Sequence, residues 1–241
     1  MTVLTAARPE QIVHWAIETY GQRVSLACSV GAEDMVLVDM LCRITDATLR
    51  SSASLRSTSS PRIFFLDTGR LHQETYDLMA VAMQRYGISF ETYFPQTDAL
   101  EALVSAKGPN SFYDSVENRR ECCRIRKVEP LTRALTGLNA WITGLRRGQS
   151  VTRTDLQAVE IDEAHGGMLK INPLADWSED DVWDYIRKNA VPYNALHDKG
   201  FPSIGCAPCT RAVAFGEDLR AGRWWWESPE HKECGLHRRA G

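Results

Sequence analysis

Seven cysteines in 241 residues are the first chemistry to account for. Cys122 and Cys123 are adjacent, and Cys206 and Cys209 form a CxxC pair. Two tight pairs of thiolates suit one tetrahedral metal ion or one iron–sulfur cube. Zinc sites commonly place two residues between ligands, so that both sulfurs reach one ion. Adjacent cysteines on a helix point about 100° apart. That spread fits a cluster whose sulfurs bind different irons. A Zn(Cys)4 site, or buried cysteines beside an accidental CxxC, are the alternatives. Arg119, Arg120, Arg124, Arg126 and Lys127 crowd the first pair. Cations offset and tune the negative charge of a four-thiolate cluster. Lys127 follows Cys123 by four residues, so on a helix the two share a face. Arg119 and Arg120 read equally well as a solvated helix surface.

Cys234 stands apart, among His231, Lys232, His237, Arg238 and Arg239. Neighbouring cations lower a thiol pKa and raise the reactive thiolate fraction, so Cys234 is the candidate nucleophile. Cys28 and Cys42 lie in apolar stretches and read as small core residues. An odd count excludes a fully paired disulfide framework within one chain.

A second motif is Ser29-Val30-Gly31-Ala32-Glu33-Asp34, between an apolar run and a helical one. Such a loop aims backbone N–H groups at an anion, helped by the helix dipole. It is not a Walker A loop, since it lacks the second Gly and the Lys-Ser/Thr. Arg146 and Arg147, with Gln149, Ser150 and Arg153 behind them, form a basic loop that an anionic nucleotide would neutralise.

The elements that position these residues alternate. The pattern predicts a helix over 9–20 closed by Gly21, a strand over 24–28 and a helix over 35–43. It predicts a strand over 62–66 and a helix ending at Tyr86 before Gly87. Strands over 88–94, 141–143 and 168–171 and a helix over 121–135 follow. Ser178 with Asp181 resembles a capping box for a helix to Asn189. The Ser-rich 50–60 stretch reads as a surface loop. Alternation of this kind predicts an α/β fold, doubly wound, with a mostly parallel sheet. Ligands then bind at the carboxyl ends of the strands, where the loops 29–34, 67–70 and 144–153 lie. The division expected is a nucleotide-binding α/β domain over 1–200 and a C-terminal segment over 201–241.

Composition sets the bounds. Hydrophobic residues are 44% and charged residues 24%, which is ordinary for a globular chain. The net charge of −3 argues against a nucleic-acid binder. No secretory signal or membrane-length apolar run is visible, so the expected setting is the cytoplasm, with no membrane partner. The sequence leaves a homo-oligomer open.

The set SVGAED, LDTGR, ECCRIRKVEP, WITGLRRGQS, IGCAPCTR, GRWWW and KECGLH resembles assimilatory adenylyl-sulfate (APS) reductase. The match runs in order from about residue 24 to 237. The CC…CxxC set is similar to the iron–sulfur branch of the APS/PAPS reductase family. The resemblance implies an adenine-nucleotide PP-loop (HUP-like) fold with a C-terminal catalytic tail. It implies reduction of APS to sulfite and AMP in sulfate assimilation and cysteine biosynthesis. Cys234 would carry an S-sulfocysteine that thioredoxin or a similar dithiol resolves. It implies a [4Fe–4S] cluster on Cys122, Cys123, Cys206 and Cys209, with Lys127 between cluster and substrate and His237 beside Cys234. The residues matching substrate contacts are Ser29, Gly31, Asp34, Leu66, Thr68, Gly144, Arg153, Arg220 and Arg223. The rival readings are a PAPS or dual-specificity reductase, a PP-loop ATP-pyrophosphatase and a zinc-stabilised nucleotide-binding regulator.

Overall fold

Short apolar strands flanked by amphipathic helices build this chain. The computed structural model describes residues 7–51, 61–149, 154–214 and 216–228, with backbone alone for 47–51. Helix α1 spans Pro9–Tyr20, and Gly21 ends it at φ 52°. Strand β1 is Val24–Cys28, α2 is Ala32–Ser51 and β2 is Ile63–Leu66. Helix α3 is Gln73–Tyr86, β3 is Glu91–Tyr93 and α4 is Thr97–Lys107. Helices α5 (Val116–Cys123) and α6 (Glu129–Leu135) flank a π turn at Arg124–Val128. Strands β4 (Ala140–Ile142), β5 (Val159–Asp162) and β6 (Met168–Ile171) precede α7, Glu179–Asn189.

The described strands form one sheet in the order β3-β2-β1-β4-β6-β5. Pairs β1–β2, β1–β4 and β4–β6 are parallel, and β5–β6 is antiparallel. This is the mostly parallel α/β sheet that the alternating pattern predicts. Strand order runs outward from β1 in both directions, so the topological switch point lies between β1 and β4. Leu26, Phe64, Ala140, Trp141 and Ile171 are at most 1% exposed, as strands buried on both faces require. Each large side chain among them contributes about 1.5–3 kcal/mol of hydrophobic stabilisation.

Four local features depart from the sequence expectations. Helix α2 begins three residues earlier and ends eight later than its apolar pattern. Glu33 and Asp34 in its first turn complement the helix dipole there. The sequence pattern predicts no element over α4, although Asp98 in its first turn and Gly108 at φ 81° mark its ends. Strand β5 was also unforeseen. It pairs with β6 across Gly166 and Gly167, both at positive φ, which is the usual device of a tight hairpin. Finally, the single helix expected over 121–135 starts at Val116, capped by Ser115, and passes through the π turn. Pro130 accounts for that turn: it cannot donate to the Arg126 carbonyl and its ring would strike it, so the ladder widens just before it.

The chain divides into two compact units that interleave along the sequence. One comprises 1–65, 77–91 and 137–194, and the other 66–76, 92–136 and 195–241. Within the first, the Trp141 indole N–H donates to Asp162 Oδ2 at 3.1 Å, and His165 Nδ1 lies 2.8 Å from the same oxygen. Asp39 on α2 is 1% exposed and is held by Arg43 and by the hydroxyls of Tyr86 and Tyr185. These networks supply partners for carboxylates the sheet buries.

Candidate active site: a carboxylate-held loop and a cysteine cavity

In the first unit, β1 delivers the loop at Ser29 to the switch point. Val30 sits at φ 60° and is 1% exposed. A β-branched residue in the left-handed region is strained, and such strain concentrates at functional turns. The turn brings Ser29 back to Asp34. The Ser29 N–H and hydroxyl both donate to Asp34 Oδ2, at 2.6 and 2.7 Å. Burial pushes the Asp34 carboxyl up to about 6, against the lowering effect of the Ser29 hydrogen bonds. Gly144, at the end of β4, lies so close that a Cβ there would run into Asp34 Oδ1 and the Glu33 Cβ. A side chain at 144 would therefore push the two loops apart.

The basic loop after β4 behaves differently from its sequence reading. Arg146 is 4% exposed and pairs with Glu33, its Nε donating to Oε1 at 2.9 Å. Arg147 pairs with Asp176 and donates from Nε to the Leu156 carbonyl at 2.7 Å. Both charges are met within the chain, so neither requires an anionic ligand to explain it. Sequence adjacency could not show this, because Glu33 lies 113 residues from Arg146.

In the second unit, one cavity gathers the four cysteines expected to act together. It is lined by Cys122, Cys123, Cys206 and Cys209, with Arg70, Arg119, Arg126 and Lys127 among their neighbours. Helix α5 presents the first pair at its carboxyl end, and the π turn carries Arg126 and Lys127. The second pair opens a short turn in which the Cys209 N–H donates to the Cys206 carbonyl at 2.9 Å. That turn is tied to the 67–71 loop. Thr68 Oγ1 lies 3.2 Å from Cys206 Sγ, and Ala207 N–H donates to the Arg70 carbonyl at 2.8 Å. Arg126 donates to the Thr68 carbonyl at 2.6 Å.

The thiols feel this setting unequally. Burial raises Cys206, but Lys127, then the Thr68 hydroxyl, Arg223 and Arg126 bring it net below its ordinary value. Burial pushes Cys209 up to about 12. Burial also raises Cys122, opposed mainly by Arg126. Arg119 and Arg120, read alike in the sequence, separate here. Arg119 is fully buried and bidentate to Glu227, at 2.9 and 2.7 Å, whereas Arg120 is exposed. Trp224 is 1% exposed at φ 42°, with the guanidinium carbons of Arg119 and Arg223 over its ring at 4.7 and 4.8 Å. The indole, itself part of the cavity wall, thus faces the cations of Arg119 and Arg223.

The remaining expected residues fall as follows. Gly31 lies in the β1–α2 loop, and Leu66 ends β2. Thr68, matched to the nucleoside, lies against Cys206. Arg223 is 7% exposed, near Ser203 Oγ and the Ile204 carbonyl, and leaves no room for a side chain at Gly205. Arg220 follows Asp218, whose carboxylate accepts its backbone N–H at 2.8 Å. Arg153, Cys234 and His237 lie outside the described residues. Cys28 and Cys42 are buried thiols, as read. Arg70 and Glu227 were missed. The LDTGR loop held the signal for Arg70, but a carboxylate 108 residues from its arginine partner has none.

A parallel sheet with a strained loop at its switch point defines a nucleotide-binding α/β protein, here carrying a four-cysteine cavity. The chain belongs to the phosphoadenosine phosphosulfate reductase family, whose domain model matches residues 23–212. It is 56% identical over 216 residues to the adenosine 5'-phosphosulfate reductase of Allochromatium vinosum, covering 90% of this chain and 79% of that protein. It is 51% identical to the enzyme of the same name from Neisseria meningitidis serogroup B, covering 88% and 81%. Against the chloroplastic 5'-adenylylsulfate reductase 3 of Arabidopsis thaliana it is 44% identical, covering 98% of this chain and 50% of that protein. Among solved structures, the phosphoadenylyl-sulfate reductase of Candida auris superposes with a TM-score of 0.70 at 29% identity, covering 88% and 93%. Yeast FAD synthetase, at 14% identity and a TM-score of 0.57 over 85% and 66%, shares the fold alone. The fold is thus the HUP-like one of PP-loop proteins.

Proposed function

We propose that this chain is an oxidoreductase that reduces adenylyl sulfate to sulfite and AMP in sulfate assimilation, with a thioredoxin-like dithiol as reductant. The observation that carries the reading is the convergence of both cysteine pairs and four cations on one cavity, in a chain 51–56% identical to proteins named for this reaction. Cys234 is the proposed nucleophile. Its thiolate attacks the sulfate sulfur, the bond from sulfur to the bridging oxygen breaks, and AMP leaves with the electron pair. A thiolate of the dithiol then attacks Cys234 Sγ and expels sulfite with the S–S electron pair. The second thiol closes the reductant's disulfide and returns the Cys234 thiolate. The dithiol supplies both electrons, and one enzyme thiol suffices.

In this reading Ser29, Gly31, Asp34 and Gly144 shape the nucleotide site, with Leu66 at the nucleoside. Lys127, Arg153, Arg220 and Arg223 offset charge on the sulfate and the leaving phosphate, and His237 assists Cys234. The cavity residues suit a [4Fe–4S] cluster held by Cys122, Cys123, Cys206 and Cys209. Two buried donors of cavity residues, Arg126 Nε and Trp224 Nε1, lack an acceptor among the described residues. Cluster sulfurs are such acceptors. Among the described residues, no three His, Cys, Asp or Glu side chains meet the geometry of a site for a single metal ion. When bound, the cluster supplies fixed negative charge and structural order, with no redox cycling. Among the described residues no helix is long and apolar enough to cross a membrane, and the cytoplasm is the proposed setting.

Steady-state sulfite release from APS and PAPS with thioredoxin tests the reading. A kcat/KM higher for APS is expected, and a clear preference for PAPS contradicts it. Brown colour and iron content after anaerobic purification are expected, and a colourless zinc protein contradicts the cluster.

A further inference from the structure

We infer that Glu227 is a positioning residue that cancels the charge of Arg119 beside Cys123 and so holds the bound cluster in its oxidised state. The inference rests on the proposed [4Fe–4S] cluster and names a side chain that keeps it out of electron transfer. A cation near a cluster stabilises the more negative, reduced form, and a carboxylate destabilises it. Arg70, Arg119, Arg126 and Lys127 line the cavity, and their summed charge favours uptake of an electron. An electron held there would be lost to the two-electron thiol chemistry.

The arginines differ in what holds them. Arg70 donates to the Pro109 carbonyl and, at 2.8 Å, to the Asn110 side-chain oxygen. Arg126 donates to the Thr68 carbonyl at 2.6 Å. These acceptors are neutral and leave the charges in place. Arg119 is held by a carboxylate instead, with the side chains of Arg119 and Glu227 only 1% and 3% exposed. Screening is weak at such burial, so a charge added or removed there is felt nearby.

The pair lies against a proposed cluster ligand. Arg119 precedes Cys123 by one turn of α5, and its guanidinium also donates to the Cys123 sulfur. Glu227 is fixed from its own side. Its N–H donates to the Trp224 carbonyl at 2.9 Å, and the Trp224 N–H donates to the Cys209 carbonyl at 3.1 Å. One short turn thus hooks the carboxylate to the second cysteine pair. Arg119 keeps its hydrogen bond to Cys123 while bringing no net charge to it.

The test reduces the anaerobically purified, iron-loaded full chain with photoreduced deazaflavin at set potentials, and counts reduced cluster per iron by electron paramagnetic resonance. In Glu227→Gln the ratio of reduced to oxidised cluster at one potential is expected to rise at least tenfold, ~59 mV for one electron. Arg119→Gln, which leaves the carboxylate unpaired, is expected to shift the ratio the other way. The double variant Arg119→Gln with Glu227→Gln restores the summed charge and is expected within threefold of the unaltered protein. Glu121→Gln removes the same charge from a partly exposed carboxylate paired with Lys107 at 2.7 Å, and is expected to change the ratio less than threefold. A purely structural pair would move both single variants alike.

An unchanged or lower ratio in Glu227→Gln overturns the inference, including no reduced signal from either protein. So does an equal effect from Glu121→Gln, or a double variant tenfold away from the unaltered protein. If Glu227→Gln keeps no iron, the double variant decides: iron retained at a near-native ratio supports the charge role, and iron lost from both overturns it. An unaltered protein without iron fails the cluster reading itself and takes the inference with it.

Discussion

In the unit that carries the β1–α2 loop, carboxylates hold the positions facing the switch point. Asp34 takes the donors of Ser29, Glu33 takes Arg146, and Asp176 takes Arg147. In the unit that carries the cysteines, cations do the reverse. Arg70, Arg119, Arg126 and Lys127 line the cavity, and Arg119 is paired there with the buried carboxylate of Glu227. The two anion-related regions of one chain thus handle charge oppositely. In the first region carboxylates tie the loop's own donors and cations together, whereas a cavity of thiolates gains from nearby positive charge. The contrast also explains why the net charge of −3 is uninformative about either site.

The contrast can be broken at several points. The largest effect is expected from Cys234→Ser, which should lower sulfite release by at least about 10⁴-fold, as loss of a covalent nucleophile does. Nucleotide binding and iron content should survive it. A steady-state assay beside an equilibrium binding measurement separates the two, and retained turnover would remove Cys234 from the chemistry. Next is Glu227→Gln, which leaves Arg119 buried without its counter-charge. Destabilisation of about 3–5 kcal/mol is expected, read by denaturant unfolding, with reduced iron content if the pair supports the cavity.

A third effect concerns pH. Asp34 has a reference value of 3.8 and stands at about 6 in the fold. The folded chain therefore holds this proton more tightly than the unfolded chain. The stability linked to it is complete below about pH 4 and is lost as pH rises through about 6. Its size is at most about 3 kcal/mol, at 1.36 kcal/mol per pKa unit. The difference in unfolding free energy between the unaltered protein and Asp34→Asn should trace that loss between pH 4 and 6. A difference independent of pH there would contradict the buried, uncompensated carboxylate. Smaller again is Gly144→Ala, at about 1–3 kcal/mol for forcing the loop off Asp34. Smallest is Arg120→Ala, whose exposed side chain should change stability by no more than about 0.5 kcal/mol. A loss as large as that of Glu227→Gln would erase the distinction between Arg119 and its neighbour.

Much of this was legible in the sequence, and the limits have physical causes. Helix α1, strand β1 and the Ser178–Asp181 capping box of α7 follow from local signals, and the structure has them at those residues. The grouping of the four cavity cysteines was readable because cysteine is scarce and its spacing informative. The π turn was not, since a proline in a helical run marks a disturbed ladder without fixing the form it takes. The neutralised arginines were not either. Arg146 with Glu33, and Arg119 with Glu227, pair across more than 100 residues, and only the folded chain brings them together. Nor could the sequence show that Asp34 turns back onto Ser29 and accepts from its N–H and hydroxyl.

The central claim is that a lone thiol takes the sulfate group and a separate dithiol releases it. Anaerobic protein mixed with sulfur-labelled APS, with no reductant present, tests it most directly. The account predicts one equivalent of label bound covalently, one AMP released, no free sulfite until thioredoxin is added, and no label on Cys234→Ser. Sulfite released without any dithiol, or label bound equally by Cys234→Ser, would contradict it.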